Sequence, residues 1–371
     1  MHVLLTVNTA WNIWNFRKPV VQSLLSNGHR VSVLAPPDEA VADLVDLGCV
    51  FVPLEMNAKG LNPVDEIRLW QRLRRQFRAD QPDVILSYTI KNNIFGALAA
   101  KSLGIPFLPN VSGLGTGFLS GGALQFVVEQ LYKRAFRNLP VVFFQNEDDQ
   151  NMFIARNLVT PCQTRLLPGS GIDLNHFAPK PLPSGKPPIF LMIARLLRDK
   201  GVFEFVEAAR SIRATDPSIR FQLLGAAGSD NRSAISMDTV TGWVNQGTIE
   251  YLGTTKDVRP AIEAATCVVL PSYREGAPRT LIEAASIARP LIATDVPGCR
   301  SVVDNNVNGY LCAVQNAQSL TEAMHRFLAL SPTEQNDLGL AGRAKMEREF
   351  DQALVIQSYF EAIRAVTGQT V

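Results

Sequence analysis

The segment that decides the fold reads "CVVLPSYREGAPRTLIEAASIARPLIATD" and spans residues 267–295. Its two short apolar runs, CVVLP and PLIATD, are typical of strands buried on both faces. Pro271 ends the first run, and Gly276 lies in the turn that follows. Pro278 fits the first position of a helix, where its missing N–H costs nothing, and the helical pattern continues to the second run. Strand, turn, helix and strand predict a βαβ unit of a parallel sheet.

The same alternation runs through the whole chain and restarts once. Further strand candidates lie at residues 2–7, 30–35, 49–54, 83–88, 105–112, 140–146, 188–194, 220–225 and 249–253. Helical patterns lie between them, for example at residues 19–27, 38–47, 64–78 and 93–103. The predicted fold class is therefore α/β, with two Rossmann-like domains that we expect to face each other across a cleft.

The domain boundaries follow from a proline-rich segment. Five prolines in "APKPLPSGKPP" exclude a helix interior or a central strand there. We predict an N-terminal domain at 1–178, a linker at 179–188 and a C-terminal domain at 189–349. The last amphipathic helix, in 350–371, packs on either domain, and packing back on the N-terminal domain is one of the two possibilities.

The composition excludes several classes of protein. A net charge of +2 on 371 residues gives no case for a nucleic-acid partner. Five scattered cysteines without a C-x-x-C are typical of a reducing compartment, so we predict a cytoplasmic protein. The first residues do not resemble a signal peptide, and no apolar run approaches the ~20 residues of a membrane span. Four distant histidines and the lack of a D-x-D predict no metal site.

The turn and the helix of the opening segment suit a nucleotide sugar. Glu275 lies on the turn at the end of a strand, and Glu283 lies about 7–8 Å along the helix axis from Pro278. That length is about the span from a diphosphate to the ribose of one nucleotide. The N–H groups near Arg279 and Thr280, at the helix start, suit the diphosphate. Carboxylates accept hydrogen bonds from hydroxyls, so the pattern indicates a sugar at one acid and a ribose at the other.

A second motif, "IARLLRDKG" (193–201), follows the first strand of the same domain. Arg195 and Lys200 stand in a strand–loop–helix segment, and two cations there are typical of a phosphate site. The alternative interpretation of this segment is a solvated loop with ordinary surface charges. The location of both motifs at the same end of one sheet favours the phosphate site.

These motifs resemble the retaining GT-B glycosyltransferases of family 4. The segments "PGSGIDLNHF" (168–177), "ARLLRDKG" (194–201) and "LPSYREGAPRTLIEA" (270–284) carry the resemblance, and the two glutamates match that family's E-x7-E. In the first half, "FRKP" (16–19), "YTIKNNIFGALAA" (88–100), "NVSGLGTGF" (110–118) and "FFQN" (143–146) resemble a narrower group. Its members extend polyprenyl-diphosphate-linked sugars and include N-acetylgalactosaminyltransferases of N-linked glycan assembly.

The resemblance implies a role for each matched residue. Arg195 and Lys200 would neutralise the departing diphosphate, which makes the reaction independent of metal and of any resident cofactor. Glu275 would contact the transferred sugar, and Glu283 would bind the ribose. The remaining donor-binding positions implied by the resemblance are Gly276, Pro278, Arg279, Thr280, Tyr251 and Leu252. The donor would be a UDP-linked N-acetylhexosamine, and the acceptor a polyprenyl-diphosphate-linked saccharide.

The first domain departs from the family pattern at two places. Residues 8–17 lack the usual glycines, so we expect Asn12, Asn15 and Arg17 on this loop to contact donor or acceptor. The stretch after the fourth strand lacks the usual histidine, which leaves Thr89, Lys91 or Asn93 for its role. The "GLGTG" segment lacks the spacing of a dinucleotide fingerprint, and we interpret it as an acceptor loop. Its residues assigned to the acceptor site are Gly113, Gly115 and Thr116.

The segment "IRLWQRLRRQFR" (67–78) contains five arginines. Arg68, Arg72 and Arg75 fall on one face of a helix, which is either a solvated face or a contact with anionic lipid headgroups. With a polyprenyl-diphosphate acceptor, the lipid contact is favoured. The predicted location is then the inner face of the cytoplasmic membrane, bound peripherally.

Two other functions remain open from the sequence. A nucleotide-sugar 2-epimerase shares the two-domain architecture, but it needs acid/base residues in its cleft, and the chain is poor in histidine. A non-catalytic protein that binds nucleotide sugars would keep the donor motifs and lose turnover. Assays with a UDP-N-acetylhexosamine panel, with and without a lipid-diphosphate saccharide, separate the three.

Overall fold

The computed structural model describes residues 1–57, 62–113, 122–185, 187–228, 231 and 233–369, without the side chain of residue 123. The chain forms two compact units. The first comprises Met1–Gly171 and Gln352–Val371, and the second comprises Ile172–Asp351. Each contains a parallel sheet with helices, which confirms the predicted α/β class.

The sheet of the first unit has seven parallel strands within the described residues, in the order β3-β2-β1-β4-β5-β6-β7. Their bounds are His2–Thr6 (β1), Arg30–Ala35 (β2), Val50–Pro53 (β3), Val84–Tyr88 (β4), Phe107–Val111 (β5), Val142–Phe144 (β6) and Thr164–Leu166 (β7). The order reverses between β1 and β4, which lie side by side. Ligands of such sheets bind beyond the carboxyl ends of the strands at this kind of reversal.

The sheet of the second unit has six parallel strands within the described residues, in the order β10-β9-β8-β11-β12-β13. Their bounds are Ile189–Ile193 (β8), Arg220–Leu224 (β9), Glu250–Tyr251 (β10), Cys267–Leu270 (β11), Leu291–Thr294 (β12) and Gly309–Cys312 (β13). The reversal lies between β8 and β11. The two candidate motifs therefore follow neighbouring strands.

Helices cover both sheets, and their apolar faces form the cores. In the first unit they are Ala10–Ser26, Val41–Asp46, Pro63–Asp80, Ile90–Lys101, Gly122–Phe136, Glu147–Ala155 and Gln352–Thr367. In the second unit they are Val202–Thr215, Met237–Asn245, Arg259–Ala264, Arg279–Ser286, Pro297–Val302, Ala317–Leu328 and Pro332–Glu349. Short 3-10 turns lie at Pro161–Gln163 and Arg198–Lys200.

One predicted loop is a helix. The sequence predicts a loop at residues 8–17 and a helix from Pro19, but the helix begins at Ala10 and has Pro19 in its interior. The Thr9 side chain accepts a hydrogen bond from the Asn12 N–H at 3.3 Å and so caps the helix. The Asp38 carboxylate accepts a further bond from the Trp11 N–H at 2.9 Å. The capping contacts at the start of the helix therefore outweigh the destabilising effect of Pro19 in its interior.

Two observed strands were not predicted from the sequence, because one lacks an apolar run and the other begins with a glycine. Strand β7 reads TRL, and its residues are half-buried or exposed at the edge of the sheet. Strand β13 begins with Gly309, where a Cβ atom would lie 2.0 Å from the Leu291 carbonyl oxygen. A glycine lowers strand propensity in a sequence pattern, but here it allows the two strands to approach.

The last helix, Gln352–Thr367, packs on the sheet of the first unit. Its Tyr359 is fully buried against Tyr88 and Phe143, with ring centroids 6.4 and 4.9 Å away. The Tyr359 hydroxyl also accepts a hydrogen bond from the Asn110 amide at 2.7 Å. The end of the chain thus completes the core of the unit that its beginning forms.

The proline-rich segment belongs to the second unit, where a buried arginine holds it. Arg289 is fully buried and donates hydrogen bonds to the carbonyl oxygens of Lys180 and Pro181, each at 2.9 Å. The same guanidinium donates to the carbonyls of Ile262 and Glu263. Burial lowers the pKa of Arg289 to about 10. The start of the segment is therefore fixed in place rather than loosely tethered.

Candidate active site

The loops that follow β8 and β11 are joined to each other. Tyr273 donates its backbone N–H to the Asp199 carbonyl oxygen at 2.9 Å. Gly201 has a φ of +75°, and a Cβ atom there would lie 2.0 Å from the Pro271 carbonyl oxygen. Only glycine fits this position, because both the φ angle and the contact exclude a side chain. The two loops therefore form one continuous surface at the carboxyl ends of the strands.

Lys200 and Glu275 meet on this surface. The Lys200 Nζ donates to the Glu275 Oε1 at 2.6 Å, and the side chains are 20% and 13% exposed. The Ser272 hydroxyl donates to the same oxygen at 2.6 Å. The bonds from Lys200 and Ser272 both reach Oε1, so neither involves the second carboxylate oxygen of Glu275. A carboxylate held in this way has a fixed orientation and keeps capacity for a ligand hydroxyl.

Residues behind the loop fix the position of Glu275. Gly298 packs so closely that a Cβ atom there would lie 2.6 Å from the Gly276 oxygen and 2.7 Å from the Glu275 oxygen. The Thr294 hydroxyl donates a short hydrogen bond to the Ser272 carbonyl. On the other side, the Tyr273 hydroxyl donates to a carboxylate oxygen of Glu204.

That hydroxyl remains protonated over the ordinary pH range. Burial, with the nearby Glu204 carboxylate as a second cause, raises the pKa of Tyr273 to about 12. Tyr273 therefore acts as a stable hydrogen-bond donor that holds the loop against the helix Val202–Thr215.

The helix behind the loop begins at Arg279, one residue later than predicted. Pro278 is the residue before the helix, with extended backbone, rather than its first helical residue. The Pro278 carbonyl oxygen accepts hydrogen bonds from the N–H groups of Leu281 and Ile282 at 3.0 and 3.2 Å. The first-turn amides, which include Thr280, are among those that a helix start leaves without an intrahelical acceptor. This end of the helix can hold an anion.

Glu283 lies one turn into that helix and is paired. Its Oε1 accepts a hydrogen bond from the Arg279 Nε at 2.6 Å, and its side chain is 11% exposed. Burial raises the pKa of Glu283 above its ordinary value, while the Arg279 guanidinium acts in the opposite direction. Asp257 adds a smaller increase through its negative charge. The two glutamates therefore have different partners and are not a coupled acid pair.

Arg195, Tyr251 and Leu252 lie at the same end of the sheet. Arg195 is exposed, and no acid among the described residues pairs with it. The Tyr251 hydroxyl donates to the Gly225 carbonyl at 2.9 Å, and Leu252 is 41% exposed. Gly225 in turn packs on the Ala194 carbonyl, which a Cβ atom would meet at 1.8 Å. The loops after β8, β9 and β10 are thus contiguous.

The chemistry of this surface is that of anion and hydroxyl recognition. It offers an exposed guanidinium, an ammonium group, the amides of a helix start and two carboxylates. No group of three or more His, Cys, Asp or Glu side chains suited to a metal ion occurs among the residues that the structure describes.

In the first unit, Asn12, Asn15 and Arg17 lie on the helix Ala10–Ser26 and not on a loop. The amide of Asn15 donates to the Trp11 carbonyl at 3.0 Å. Arg17 is 3% exposed, and its guanidinium carbon lies 4.5 Å from the centre of the Tyr88 ring. Its Nε has no hydrogen-bond partner, and within the described chain no acid balances its charge.

Thr89 has a backbone conformation that is rare for a residue with a side chain. It directly follows β4 with φ 69° and ψ 151°, a region that glycine almost alone adopts. Its hydroxyl donates to the Asn92 side-chain Oδ1 at 3.0 Å, and the Asn92 Nδ2 donates to the Thr6 hydroxyl at 2.9 Å. Such strain costs about 1–3 kcal/mol and is common at functional sites. Asn92, which the sequence analysis did not select, is fully buried here.

Lys91 and Asn93 differ in their surroundings. The Lys91 Nζ pairs with the Glu66 carboxylate at 2.6 Å, and the two side chains are 15% and 16% exposed. It also donates to the Asn57 carbonyl at 2.6 Å. Its charge is therefore balanced by protein groups. The buried Asn93 donates its side-chain amide to the Asn110 backbone carbonyl at 2.8 Å, and its side-chain Oδ1 has no hydrogen-bond partner in the described part of the chain.

The remaining predicted residues are partly described. Gly113 is half-buried with a φ of +156°, whereas Gly115 and Thr116 lie outside the described residues. Arg68 and Arg75 are exposed on the helix Pro63–Asp80. Arg72 is engaged by Glu55, with 2.6 Å between the guanidinium nitrogen and the carboxylate.

The sequence did not predict four residues that hold the site together, namely Ser272, Thr294, Gly225 and Gly298. Thr294 and both glycines act through contacts with segments more than 20 positions away, whereas Ser272 also contacts the nearby Glu275. For the glycines, the available sequence signal is position, because Gly225 ends one predicted strand and Gly298 closely follows another.

Comparisons with known proteins show the family of the chain. Residues 17–169 match the family model "Glycosyl transferase 4-like domain", and residues 175–345 match "Glycosyl transferases group 1". A Campylobacter jejuni protein, N,N'-diacetylbacillosaminyl-diphospho-undecaprenol alpha-1,3-N-acetylgalactosaminyltransferase, is 31% identical over 94% of this chain and 95% of its own length.

Two further proteins are similar at lower identity. The Escherichia coli UDP-Gal:alpha-D-GlcNAc-diphosphoundecaprenol alpha-1,3-galactosyltransferase is 24% identical over 74% of this chain and 73% of its own. The Anabaena protein HepE, solved in complex with UDP, matches with a TM-score of 0.80 at 16% identity, and the match covers 98% of this chain and 100% of HepE. The fold is GT-B, and the chain belongs to the glycosyltransferases of the group 1 and 4-like families.

Proposed function

We propose that the protein is a retaining glycosyltransferase that moves an N-acetylhexosamine from a UDP-sugar to a polyprenyl-diphosphate-linked saccharide. Such a step would belong to surface polysaccharide or glycan assembly. The observation that carries the proposal is the contact between Lys200 and Glu275 beside the start of the helix Arg279–Ser286. It unites a cation for phosphate, a carboxylate for sugar hydroxyls and an anion-binding helix end on one surface.

The donor would lie along this surface. The diphosphate binds Arg195, Lys200 and the amides at the helix start, because cations and helix N-termini both favour anions. Glu283 accepts hydrogen bonds from the ribose hydroxyls, and its ion-pair partner Arg279 keeps the Glu283 carboxylate oriented. Tyr251 and Leu252 flank the base. Gly276 and Pro278 shape the loop that brings these parts together.

Lys200 changes partner when the donor binds. In the structure it neutralises Glu275, and in the complex its charge would turn to the diphosphate. Glu275 is then released to accept hydrogen bonds from the sugar hydroxyls, with the Ser272 hydroxyl still in place. The ion pair thus holds both groups in position in the absence of ligand.

The transfer itself would proceed on one face of the sugar. The acceptor oxygen forms a bond to the anomeric carbon as the bond to the diphosphate oxygen breaks, and the acceptor proton passes to that departing phosphate. Configuration is therefore retained. Arg195 and Lys200 stabilise the charge that develops on the leaving group, which is the work that preorganised cations do in such sites.

The acceptor side is assigned to the first unit. Arg17 offers a buried cation without an acid partner in the described chain, and such a charge is costly unless a ligand anion approaches it. The strained Thr89 and the buried side-chain oxygen of Asn93 add polar groups at the carboxyl end of β4. Asn12 and Asn15 precede Arg17 on the same helix. A lipid-linked saccharide acceptor is supported by the names of the Campylobacter and Escherichia coli relatives.

The membrane that contains such an acceptor would be the cytoplasmic membrane, with the protein bound to its inner face. No helix in the described part of the chain is both long and apolar enough to cross a bilayer. Arg68 and Arg75 are exposed and suit anionic headgroups. Arg68 lies 3.6 Å from the Asp65 carboxylate, and Arg72 would first have to leave Glu55.

The test is transfer from a panel of UDP-N-acetylhexoses to a short-chain polyprenyl-diphosphate saccharide, followed by mass spectrometry and by NMR of the new linkage. We expect an α-linked product from an α-linked donor. A β-linkage would refute retention. Interconversion of the donor without acceptor, or tight UDP binding without any product, would refute the transferase proposal.

A further inference from the structure

A groove runs over the helix Ile90–Lys101 on the first unit. It encloses about 1190 Å³. The central helix packs against both of its neighbours, Pro63–Asp80 and Gly122–Phe136, which form the two walls. Residues 157–160 also line it. None of the donor or acceptor residues assigned above lines this groove. We call it the helical groove.

The lining of the helical groove is apolar on one side and basic on the other. Phe95 and Leu98 come from the central helix, and Ile67 and Trp70 come from one wall. Lys133, Arg134 and Arg137 belong to the other wall and to the residue after it. All three of these cations are exposed.

The charge of the helical groove is strongly positive. Among the described residues, its charged lining consists of Lys101, Lys133, Arg134 and Arg137, with Glu66 as the one acid. Glu66 is already neutralised by Lys91, with 2.6 Å between the Nζ and the Oε1. The four cations are therefore left without a balancing acid inside the groove, and the groove favours an anionic occupant.

Large apolar side chains stand exposed on both walls. Ile67 is 56% exposed and Val64 is 52% exposed on one helix, and Phe126 is 62% exposed on the other. Phe126 lies four residues before Gln130, which lines the groove, so both side chains are on one face of that helix. Exposed apolar side chains beside clustered cations are typical of a surface that inserts into the headgroup region of a bilayer.

We propose that the helical groove is a docking site for anionic phospholipids of the bilayer surface. The headgroup phosphates bind Lys133, Arg134 and Arg137, and the exposed Ile67 and Phe126 enter the boundary between headgroups and acyl chains. The role given to this docking rests on the proposed function, since a polyprenyl-linked acceptor resides in a bilayer. The binding itself does not require that function.

The test uses the full chain and sedimentation with vesicles of phosphatidylcholine alone or with phosphatidylglycerol. We expect at least tenfold tighter binding to the anionic vesicles. The triple variant Lys133→Gln, Arg134→Gln, Arg137→Gln should lose at least tenfold of that affinity. The double variant Ile67→Ser, Phe126→Ser should also bind less, and its loss should persist at high salt, where the ionic part is screened.

The matched control removes three exposed cations from the second unit, with Arg210→Gln, Arg326→Gln and Arg348→Gln. It has the same net charge as the groove triple variant and should sediment like the wild type. Equal losses in both triple variants would show a net-charge effect and overturn the proposal. Binding of neutral vesicles only when they carry a polyprenyl phosphate would overturn it in favour of the acceptor as occupant.

A transfer assay separates this inference from the proposed function. With a water-soluble, short-chain acceptor, the groove variants should keep their kcat and KM. Loss of activity on that acceptor would place the groove in the transfer machinery and overturn its role as a lipid surface. Neither the wild type nor any variant transfers sugar if the transferase proposal is wrong. If sedimentation with vesicles still depends on the groove residues in that case, the docking proposal stands and the transferase proposal falls.

Discussion

Lys200 Nζ and Glu275 Oε1 lie 2.6 Å apart although the two residues are 75 positions apart in the chain. Each stands on a loop at the carboxyl end of a strand, and the two strands are neighbours at the reversal of the second sheet. The contact joins the cation-bearing motif to the glutamate motif. Separate measurements of UDP binding and of sugar transfer can test the role of Lys200 and of Glu275 in this contact.

The first prediction concerns Glu275. The change Glu275→Gln should lower kcat by about 10²–10³-fold, since losing one preorganised electrostatic contact to the reacting sugar costs that much in other enzymes. The UDP dissociation constant should stay within about threefold, because UDP lacks the transferred sugar and an amide still accepts from Ser272. Calorimetry with UDP and initial rates provide the two numbers. Parallel losses of both would remove Glu275 from the sugar site.

The second prediction concerns Arg195. The change Arg195→Ala should weaken UDP binding by roughly 10–100-fold and lower the rate as well, because a hydrogen bond to a charged group contributes about 1.5–3 kcal/mol. Arg198→Ala is the matched control on the same loop. Its guanidinium lies 4.7 Å from the centre of the Phe203 ring, so it should leave UDP affinity nearly unchanged. Full UDP affinity in Arg195→Ala would exclude it from the phosphate site.

The third prediction tests the close contact behind the loop. The Cβ atom in Gly298→Ala would lie within 2.7 Å of two carbonyl oxygens of the loop, so the loop that carries Glu275 must shift. We expect kcat to fall at least tenfold and the unfolding free energy to fall by about 1–3 kcal/mol. The control is Gly242→Ala, a helical glycine with nothing within 4 Å of the added atom. It should fold and transfer like the wild type or be slightly more stable.

The fourth prediction concerns the fixed proline-rich segment. The change Arg289→Met leaves buried carbonyl oxygens, including those of Lys180 and Pro181, without their donor. The unfolding free energy of the second unit should fall by about 3 kcal/mol or more. Proteolysis within residues 178–188 should become faster at the same time. Arg348→Met, at an exposed position, is the control. Unchanged proteolysis in Arg289→Met would show that the segment is held by other contacts.

The fifth prediction is a pH dependence from Glu283. Burial raises its pKa in the folded protein above the ordinary value of 4.5, so the folded state holds the proton more tightly than the unfolded state. Stability should therefore fall as pH rises from about 4.5 through the folded pKa. Glu283→Gln lacks this carboxyl and should gain thermal stability relative to the wild type across that range. A constant difference in stability between Glu283→Gln and the wild type over that pH range would contradict the raised pKa of Glu283.

Much of the fold was predictable because parallel strands buried on both faces read as apolar runs. The ends of nearly all predicted strands lie within a few residues of the observed ones, as at Arg30–Ala35. The exceptions have physical causes. Strand β7 is an exposed edge, β13 starts with a glycine, and the helix from Ala10 was hidden by an interior proline.

The sequence by itself determined the two-sheet architecture, the family and the two loops that carry the candidate donor site. These properties depend on local patterns of apolar residues, prolines and charged motifs. Only the tertiary structure decided which side chains meet. It paired Lys200 with Glu275, Glu283 with Arg279, Lys91 with Glu66 and Arg72 with Glu55. It also placed Gly298 against the loop and left Arg17 buried without an acid among the described residues. Pairings between loops and helices far apart in the chain depend on strand order and helix packing, which no local stretch of sequence specifies.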